Sequence, residues 1–304
     1  MYSKPLVSIC CLTYRHKQYI SQCIEGFLMQ DTNFEYEIII HDDASDDGTR
    51  EILEEYASKY PALFKLILQD ENQYSKGIDV MSILFSYATG KYIAMCEGDD
   101  YWTDPLKLQK QIDFMESHPD YVMCSHRFNI YNQSDNTYSP AWYSDLQVEV
   151  DYNLNTLIRG GWYHHPLTVM FRSDKLNIEE YNRYSYSMDA VLFYYLLKKG
   201  PGRMFLDYMA VYRKHTGGVW FGVDSNCKIK NEFKARIGIY EVEQSFEAAF
   251  MLRHQFTKRI SRKLMLKEWR IMLSCYRIIS RYFGSMPTML IFLKKMLLNK
   301  SLMY

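Results

Sequence analysis

The stretch Met95-Cys96-Glu97-Gly98-Asp99-Asp100-Tyr101-Trp102 decides how the rest of the chain is read. It follows the apolar run Tyr92-Ile93-Ala94 and precedes Thr103-Asp104-Pro105, where a proline behind an acidic or hydroxyl residue marks a helix start. The acids therefore stand where a buried strand ends. Three carboxylates within four residues repel one another unless a proton or a cation intervenes, and hard oxygen ligands of this kind suit Mg²⁺ or Mn²⁺. A divalent metal beside a phosphate is one reading; a solvated acidic turn is the other.

Toward the amino end, residues 6–12 are apolar and β-branched and feed the polar run Thr13-Tyr14-Arg15-His16. Ile20, Ile24, Phe27 and Leu28 then recur at helical spacing. A second buried strand, 37–41, closes on Asp42-Asp43-Ala44-Ser45-Asp46-Asp47-Gly48-Thr49, and Ile52, Leu53, Tyr56 and Ala57 give a second amphipathic helix. A third strand at 64–68, a third helix at 80–88 and a fourth strand at 92–96 complete the alternation. Such alternation predicts an α/β fold, a Rossmann-like and mostly parallel sheet flanked by helices. Ligands collect at the carboxyl ends of the strands in these sheets, so Thr13-Tyr14, Asp42-Asp43 and 97–100 are expected along one edge. No Gly-x-Gly-x-x-Gly or Gly-x-x-x-x-Gly-Lys loop is present, and a metal at Asp99 and Asp100 is the substitute for holding phosphate.

The composition suits one large domain, or one domain plus an appendage: 304 residues, 48% of them hydrophobic. Seven Cys are scattered without a Cys-x-x-Cys pair, which speaks against a disulfide framework or a zinc site and for a reducing compartment. No signal peptide is read at the amino end, and no run of 18 apolar residues occurs, so a cytoplasmic location is expected. Lys and Arg equal Asp and Glu overall, yet between Arg253 and Lys300 twelve bases face a single acid, Glu268. The two ends of the chain are thus suited to different partners.

The ordered motifs resemble family 2 glycosyltransferases of the GT-A fold: Val7-Ser8-Ile9 to Thr13-Tyr14, then 40–49, then Gly90-Lys91-Tyr92-Ile93 to Glu97-Gly98-Asp99-Asp100-Tyr101-Trp102. The resemblance covers about the first 120 positions. It implies that Asp42, with Asp43 beside it, and the Thr13-Tyr14 loop bind the base and ribose of a nucleotide sugar, and that Asp99 and Asp100 hold Mn²⁺ or Mg²⁺. The family's first metal-motif acid is an aspartate, whereas this chain has Glu97. The segment after the third strand also departs from the family, and Lys76 there meets a phosphate or is a solvated loop lysine.

In the second half, 121–126 reads as a strand, 133–140 as a loop, and 144–153 shows no clear period. Gly160-Gly161-Trp162-Tyr163-His164-His165-Pro166 offers aromatic faces for a sugar; its paired His lack a third metal ligand nearby. Asp189 precedes the apolar helix 190–197, where it reads as a cap or first-turn acid. The resemblance places it as the catalytic base of an inverting transfer. Tyr212-Arg213-Lys214-His215-Thr216-Gly217-Gly218-Val219-Trp220 is similar to a segment of bacterial surface-polysaccharide members, capsule and O-antigen enzymes among them. There His215 completes the metal or contacts the diphosphate and Arg213 neutralises leaving-group charge; a turn around a buried His is the plainer alternative.

In the tail, Met265, Trp269, Met272, Tyr276, Ile279 and Phe283 align on one helical face, opposite Arg259, Lys263, Lys267, Arg270, Arg277 and Arg281. A second apolar and basic piece follows Pro287. This reads as a helix on an anionic membrane surface, or as one packed on protein with a solvated basic face; no nucleic-acid fold accompanies it. The expected organisation is a catalytic domain, 1–225, with a nucleotide-sugar half (1–120) and an acceptor half (121–225), then a helical basic region, 226–304. The expected activity is metal-dependent transfer from a UDP-sugar to a glycan or lipid-linked glycan, peripheral at the inner face of the membrane. A non-catalytic nucleotide-sugar or glycan-binding protein and a sugar nucleotidyltransferase are the alternatives, the latter disfavoured by the missing glycine-rich activation loop.

Overall fold

The computed structural model describes residues 4–141, 143–184, 189–218, 224–259 and 269–283. The amino-terminal half alternates β1 (Val7–Thr13), α1 (Ile20–Leu28), β2 (Tyr36–Asp42), α2 (Thr49–Lys59), β3 (Phe64–Leu68), α3 (Val80–Ser86) and β4 (Tyr92–Glu97). The chain continues through β5 (Tyr101–Trp102), α4 (Lys107–Ser117), β6 (Met123–Asn132), β7 (Thr137–Pro140), β8 (Val150–Tyr152), α5 (Leu154–Ile158), β9 (Met170–Arg172), α6 (Ile178–Tyr181), α7 (Asp189–Leu197) and β10 (Gly202–Lys214). Three helices follow: α8 (Ser225–Glu243), α9 (Phe246–Arg259) and α10 (Trp269–Phe283).

Among the described residues one sheet runs β3-β2-β1-β4-β9-β6-β10-β5, with β7 on β6 and β8 on β10. The four amino-terminal strands pair in parallel. The apolar runs of β1, β2 and β4 are buried almost throughout, as strands covered on both faces require, whereas the edge strand β3 buries only Ile67. Helix α1 buries Ile20, Cys23, Ile24 and Phe27, the i, i+3, i+4, i+7 face that its sequence displays. Register then sets the working edge: Thr13 lies opposite Asp42, and Leu12 opposite Glu97. The strand ends carrying the polar motifs are neighbours.

Strand β9 enters antiparallel between β4 and β6, and β5 pairs antiparallel with β10 through Ala210 and Trp102. Trp102 is thereby locked beneath the acid loop. Its Nε1 donates to Leu167 O at 3.0 Å, and Phe27 meets its ring edge-on at 4.7 Å. A Cβ on Gly26 would stand 3.0 Å from the Trp102 backbone N and O, a tight contact that glycine avoids and that lets α1 approach closely. Arg172, buried, donates to Tyr121 O, Met115 O and His118 O and to the Tyr92 hydroxyl, so that one guanidinium closes the carboxyl end of α4 onto β9.

The structure differs from the local readings at four places. Helix α4 begins at Lys107, two residues after Pro105, because Asp104 Oδ1 takes the Leu106 N–H in a preceding turn. Within the expected loop 133–140, residues 137–140 form β7, and within 144–153 residues 150–152 form β8; both are short strands held by their neighbours' ladders. The last strand extends well beyond the apolar run 204–206 to Lys214, carrying Tyr212 and Arg213 in the sheet.

The chain divides into two compact units, 1–157 with 161–222, and 158–160 with 223–304, against an expected boundary at 225/226. In the second unit, Phe233, Leu252, Cys275 and Ile279 form a buried core of α8, α9 and α10, with Ile271, Tyr276 and Ile278 against it. The described part of the tail's apolar stripe thus faces its own bundle, while Arg277 and Arg281 are exposed. Lys263, Met265, Lys267 and the piece after Pro287 lie outside the described residues, as does Trp220. Among the described residues no helix is long and apolar enough to cross a membrane.

Candidate active site

The acid loop is held from below by a strand more than a hundred residues away. Asp100 is fully buried; its Oδ1 accepts the Arg213 N–H at 2.8 Å, and its Oδ2 has no hydrogen-bond partner. The Arg213 side chain, which the sequence nominates for the leaving group, donates to Asp99 O at 2.8 Å and to Gln22 Oε1 at 2.6 Å and lies against the rings of Tyr19 and Tyr101. Its charge shapes the loop backbone from within the protein.

Asp99 Oδ2 meets two imidazoles, His215 Nε2 at 3.0 Å and His16 Nε2 at 3.8 Å. Burial raises the Asp99 carboxyl, but the His215 hydrogen bond and the charges of both histidines outweigh it and hold the group below the usual range. His215 is buried, packed 4.4 Å from the Tyr19 ring, and its carbonyl accepts the Gly218 N–H of the Thr216-Gly217-Gly218 turn. His16 comes from the β1–α1 loop; it stood in the quoted motif without a role, and its place at a strand end was the only signal available.

Oxygens of Glu97, Asp99 and Asp100 all lie within 4.8 Å of one another. Burial, then Asp99, then Asp189 push the Glu97 carboxyl up to about 8. Burial and the neighbouring acids likewise raise Asp100 well above the usual range. Glu97, Asp99, Asp100 and Asp189 also act together on Tyr212, whose phenol is pushed up by burial first and then by these four charges. Asp189 opens α7 with Oδ1 on the Ala190 N–H at 2.7 Å. The structure therefore brings Asp189 to the acid loop across 89 residues of sequence, with Tyr212, which the sequence motif contains without a role, as a neighbour.

On the second strand, Asp42 is buried and accepts from Ser45 N at 2.9 Å and Ser45 Oγ at 2.5 Å, while burial raises its pKa against these bonds. Asp43 accepts the N–H groups of Gln73 (2.8 Å) and Tyr74 (3.1 Å), tying the loop after β3 to this edge. Lys76 closes the following 3₁₀ turn and pairs with Glu71. Thr13 is buried, with Oγ1 lacking a hydrogen-bond partner, and Tyr14 beside it is exposed. His165 stands 5.0 Å from the Tyr212 ring; burial lowers it to about 4 although the charge of Asp99 raises it, which sets it near the acids. His164 instead lies between the rings of Trp162 (4.6 Å) and Phe193 (4.3 Å).

These residues fit a divalent cation. Asp100 Oδ2 is a buried acceptor without a donor, and carboxylates crowded to this degree are relieved by a positive charge placed among them. Asp99, Asp100, Glu97 and His215 are the groups that would hold it.

Comparison with known proteins gives concordant matches. The model of the family described as glycosyl transferase family 2 matches residues 8–181. Protein Rv1520 of Mycobacterium tuberculosis is 36% identical over 220 residues, which are 70% of this chain and 60% of that protein, so the chain spans less than two thirds of that relative. The Escherichia coli UDP-Glc:alpha-D-GlcNAc-diphosphoundecaprenol beta-1,3-glucosyltransferase WfaP is 36% identical over 113 residues, 37% of this chain and 42% of its own. The crystal structure of S. aureus TarS 1–349 in complex with UDP-GlcNAc superposes with a TM-score of 0.64 at 18% identity, covering 91% of this chain and 80% of that one. That likeness concerns the fold.

Proposed function

Because the chain belongs to glycosyl transferase family 2, we propose that it transfers a sugar, with inversion, from a UDP-sugar to a hydroxyl of a lipid-linked glycan, using a divalent cation at Asp99. One observation carries the reading: Asp42, the acid loop and Asp189 come from separate strand and helix ends, yet the loop acids and Asp189 act on common neighbours, Glu97 and Tyr212. The named donor of WfaP and the nucleotide sugar in the TarS complex support a uridine diphosphate donor. WfaP's named acceptor supports a lipid diphosphate-linked glycan in surface polysaccharide synthesis.

In this reading Asp42 and the Thr13-Tyr14 loop hold the base and ribose, and Asp43 holds the 72–76 loop beside them. Asp99, Asp100 and His215 would hold a cation, which would supply charge neutralisation to the diphosphate. Asp189 takes the proton of the acceptor hydroxyl as that oxygen bonds to the anomeric carbon; the bond from that carbon to the diphosphate oxygen breaks, and the nucleoside diphosphate leaves with the electron pair. Arg213 acts as a positioning residue through Asp99 O. Lys76 is proposed for the phosphate only if its pair with Glu71 opens. The exposed Arg277 and Arg281 provide an electrostatic approach to an anionic membrane surface.

Calorimetry of UDP with and without Mn²⁺ tests this on wild type, Asp99→Asn and Asp189→Asn. Metal-dependent UDP binding is expected in wild type, lost in Asp99→Asn and kept in Asp189→Asn, whose transfer activity falls by at least about a hundredfold. Undiminished transfer by Asp189→Asn would remove the base assignment, and no nucleotide binding under any condition would overturn the donor reading.

A further inference from the structure

We infer that His16 is a second imidazole of the cation site, paired with His215 across Asp99, and that this pair favours Mn²⁺ over Mg²⁺. The inference rests on the reading of Asp99 as a cation ligand and extends it to the identity of the ion.

Geometry comes first. His16 Nε2 and His215 Nε2 address the same carboxylate oxygen, Asp99 Oδ2, at 3.8 and 3.0 Å. Adjacent ligands of one octahedral ion with bonds near 2.1 Å stand about 3 Å apart. His215 already has that separation, and His16 reaches it by a shift of under about 1 Å. The His16 side chain is only 14% exposed, so it is presented to Asp99 as part of the protein interior.

Gly98 leaves the room that the loop carrying His16 occupies. A Cβ at position 98 would fall 2.9 Å from His16 Nδ1 and 2.7 Å from Thr13 Oγ1, and both of those atoms are buried without hydrogen-bond partners. An imidazole that offers Nε2 to an ion carries its proton on Nδ1 and needs an acceptor there. Thr13 Oγ1 borders the same cradle without bonding Nδ1 as the two stand, and would supply that acceptor through a water or once His16 shifts onto the ion. Both orphaned atoms are then accounted for together.

The cations first nominated for this place are engaged elsewhere. Arg213 is bound to Asp99 O and Gln22, and Lys76 to Glu71. Among the described residues, the two histidines are the basic side chains that pair with the Asp99 carboxylate. Mg²⁺ prefers oxygen ligands and releases its waters reluctantly, whereas later first-row ions take imidazole more readily. Two imidazoles therefore discriminate between ions that three carboxylates alone would treat alike.

Pulsed electron paramagnetic resonance of Mn²⁺ bound to the full chain with UDP, with and without ¹⁵N-histidine labelling, reads the ligands directly. Wild type is expected to show nitrogen couplings from two imidazoles and to bind Mn²⁺ at least tenfold more tightly than Mg²⁺. His16→Ala and His16→Gln should each lose one coupling and weaken Mn²⁺ binding by about tenfold, with Mg²⁺ changed less than about twofold. Circular dichroism and thermal unfolding of the Gln variant establish that the fold persists. A wild-type spectrum with nitrogen from His215 alone, or His16 variants with unaltered couplings and Mn²⁺-to-Mg²⁺ ratio, overturns the inference and leaves the proposed function standing. Wild type that binds neither ion nor UDP overturns both.

Discussion

Lys107 and Asp100 are fully buried, seven positions apart, on either side of Trp102. Lys107 Nζ lies 3.8 Å over the Trp102 ring and donates to Gln111 Oε1 at 2.7 Å, and burial lowers its pKa from 10.5 to about 7. Between those values the unfolded chain holds the extra proton, so stability climbs as pH rises, by up to about 1.4 kcal/mol per unit. The burden is complete below pH 7, where both states are protonated. We expect Lys107→Met to flatten this slope, as measured by urea unfolding at pH 7 and pH 9; equal slopes in variant and wild type would refute it. Gly98→Ala, which drives a methyl group into Thr13 and His16, should cost about 1–3 kcal/mol of stability and weaken Mn²⁺ binding in the same titration. The acids of this loop were legible in the sequence as a pattern of like charges. Lys107 was not, because a lysine in an amphipathic helix reads as solvated until the packing buries it.

At the scale of elements, Asp43 and Arg172 each fasten one segment to another. Asp43→Ala frees the Gln73 and Tyr74 N–H groups and should speed amide exchange there about tenfold, with little change elsewhere. Arg172→Met leaves the carbonyls of Met115, His118 and Tyr121 without their buried donor, and the expected loss is on the order of 3 kcal/mol in chemical denaturation. The β-strand and helix alternation of the first half was legible because the strands are short, mostly apolar runs and the helices between them carry apolar faces. Strand β7 was hidden because all four of its residues are exposed, and only the ladder with β6 makes it a strand. Strand β10 was underestimated for another reason. Register shifts between Phe205 and Tyr208 and again before Ala210 break the twofold alternation that marks a strand.

For the whole molecule, the charge asymmetry of the chain is the property that reaches furthest. Arg277 and Arg281 stand on the exposed side of α10, whose apolar residues Cys275 and Ile279 are consumed by the core of the second unit. Membrane attachment through the described part of this helix would thus be electrostatic, worth about 1 kcal/mol per basic residue at an anionic surface. Co-sedimentation with phosphatidylglycerol vesicles should fall at least tenfold in Arg277→Glu/Arg281→Glu and with added salt, while UDP binding is unchanged. Salt-insensitive binding shared by the variant would show that these charges do not carry it. The sequence by itself determined the alternating α/β plan and the carboxylates at its strand ends, since periodicity and residue type act over a few neighbouring positions. Only the tertiary structure decided how the side chains nominated for the site meet, and that His16 stands beside them. It set Arg213 under Asp100 across 113 positions and His16 and His215 around one oxygen of Asp99, because such meetings depend on strand register and burial, which no local stretch encodes.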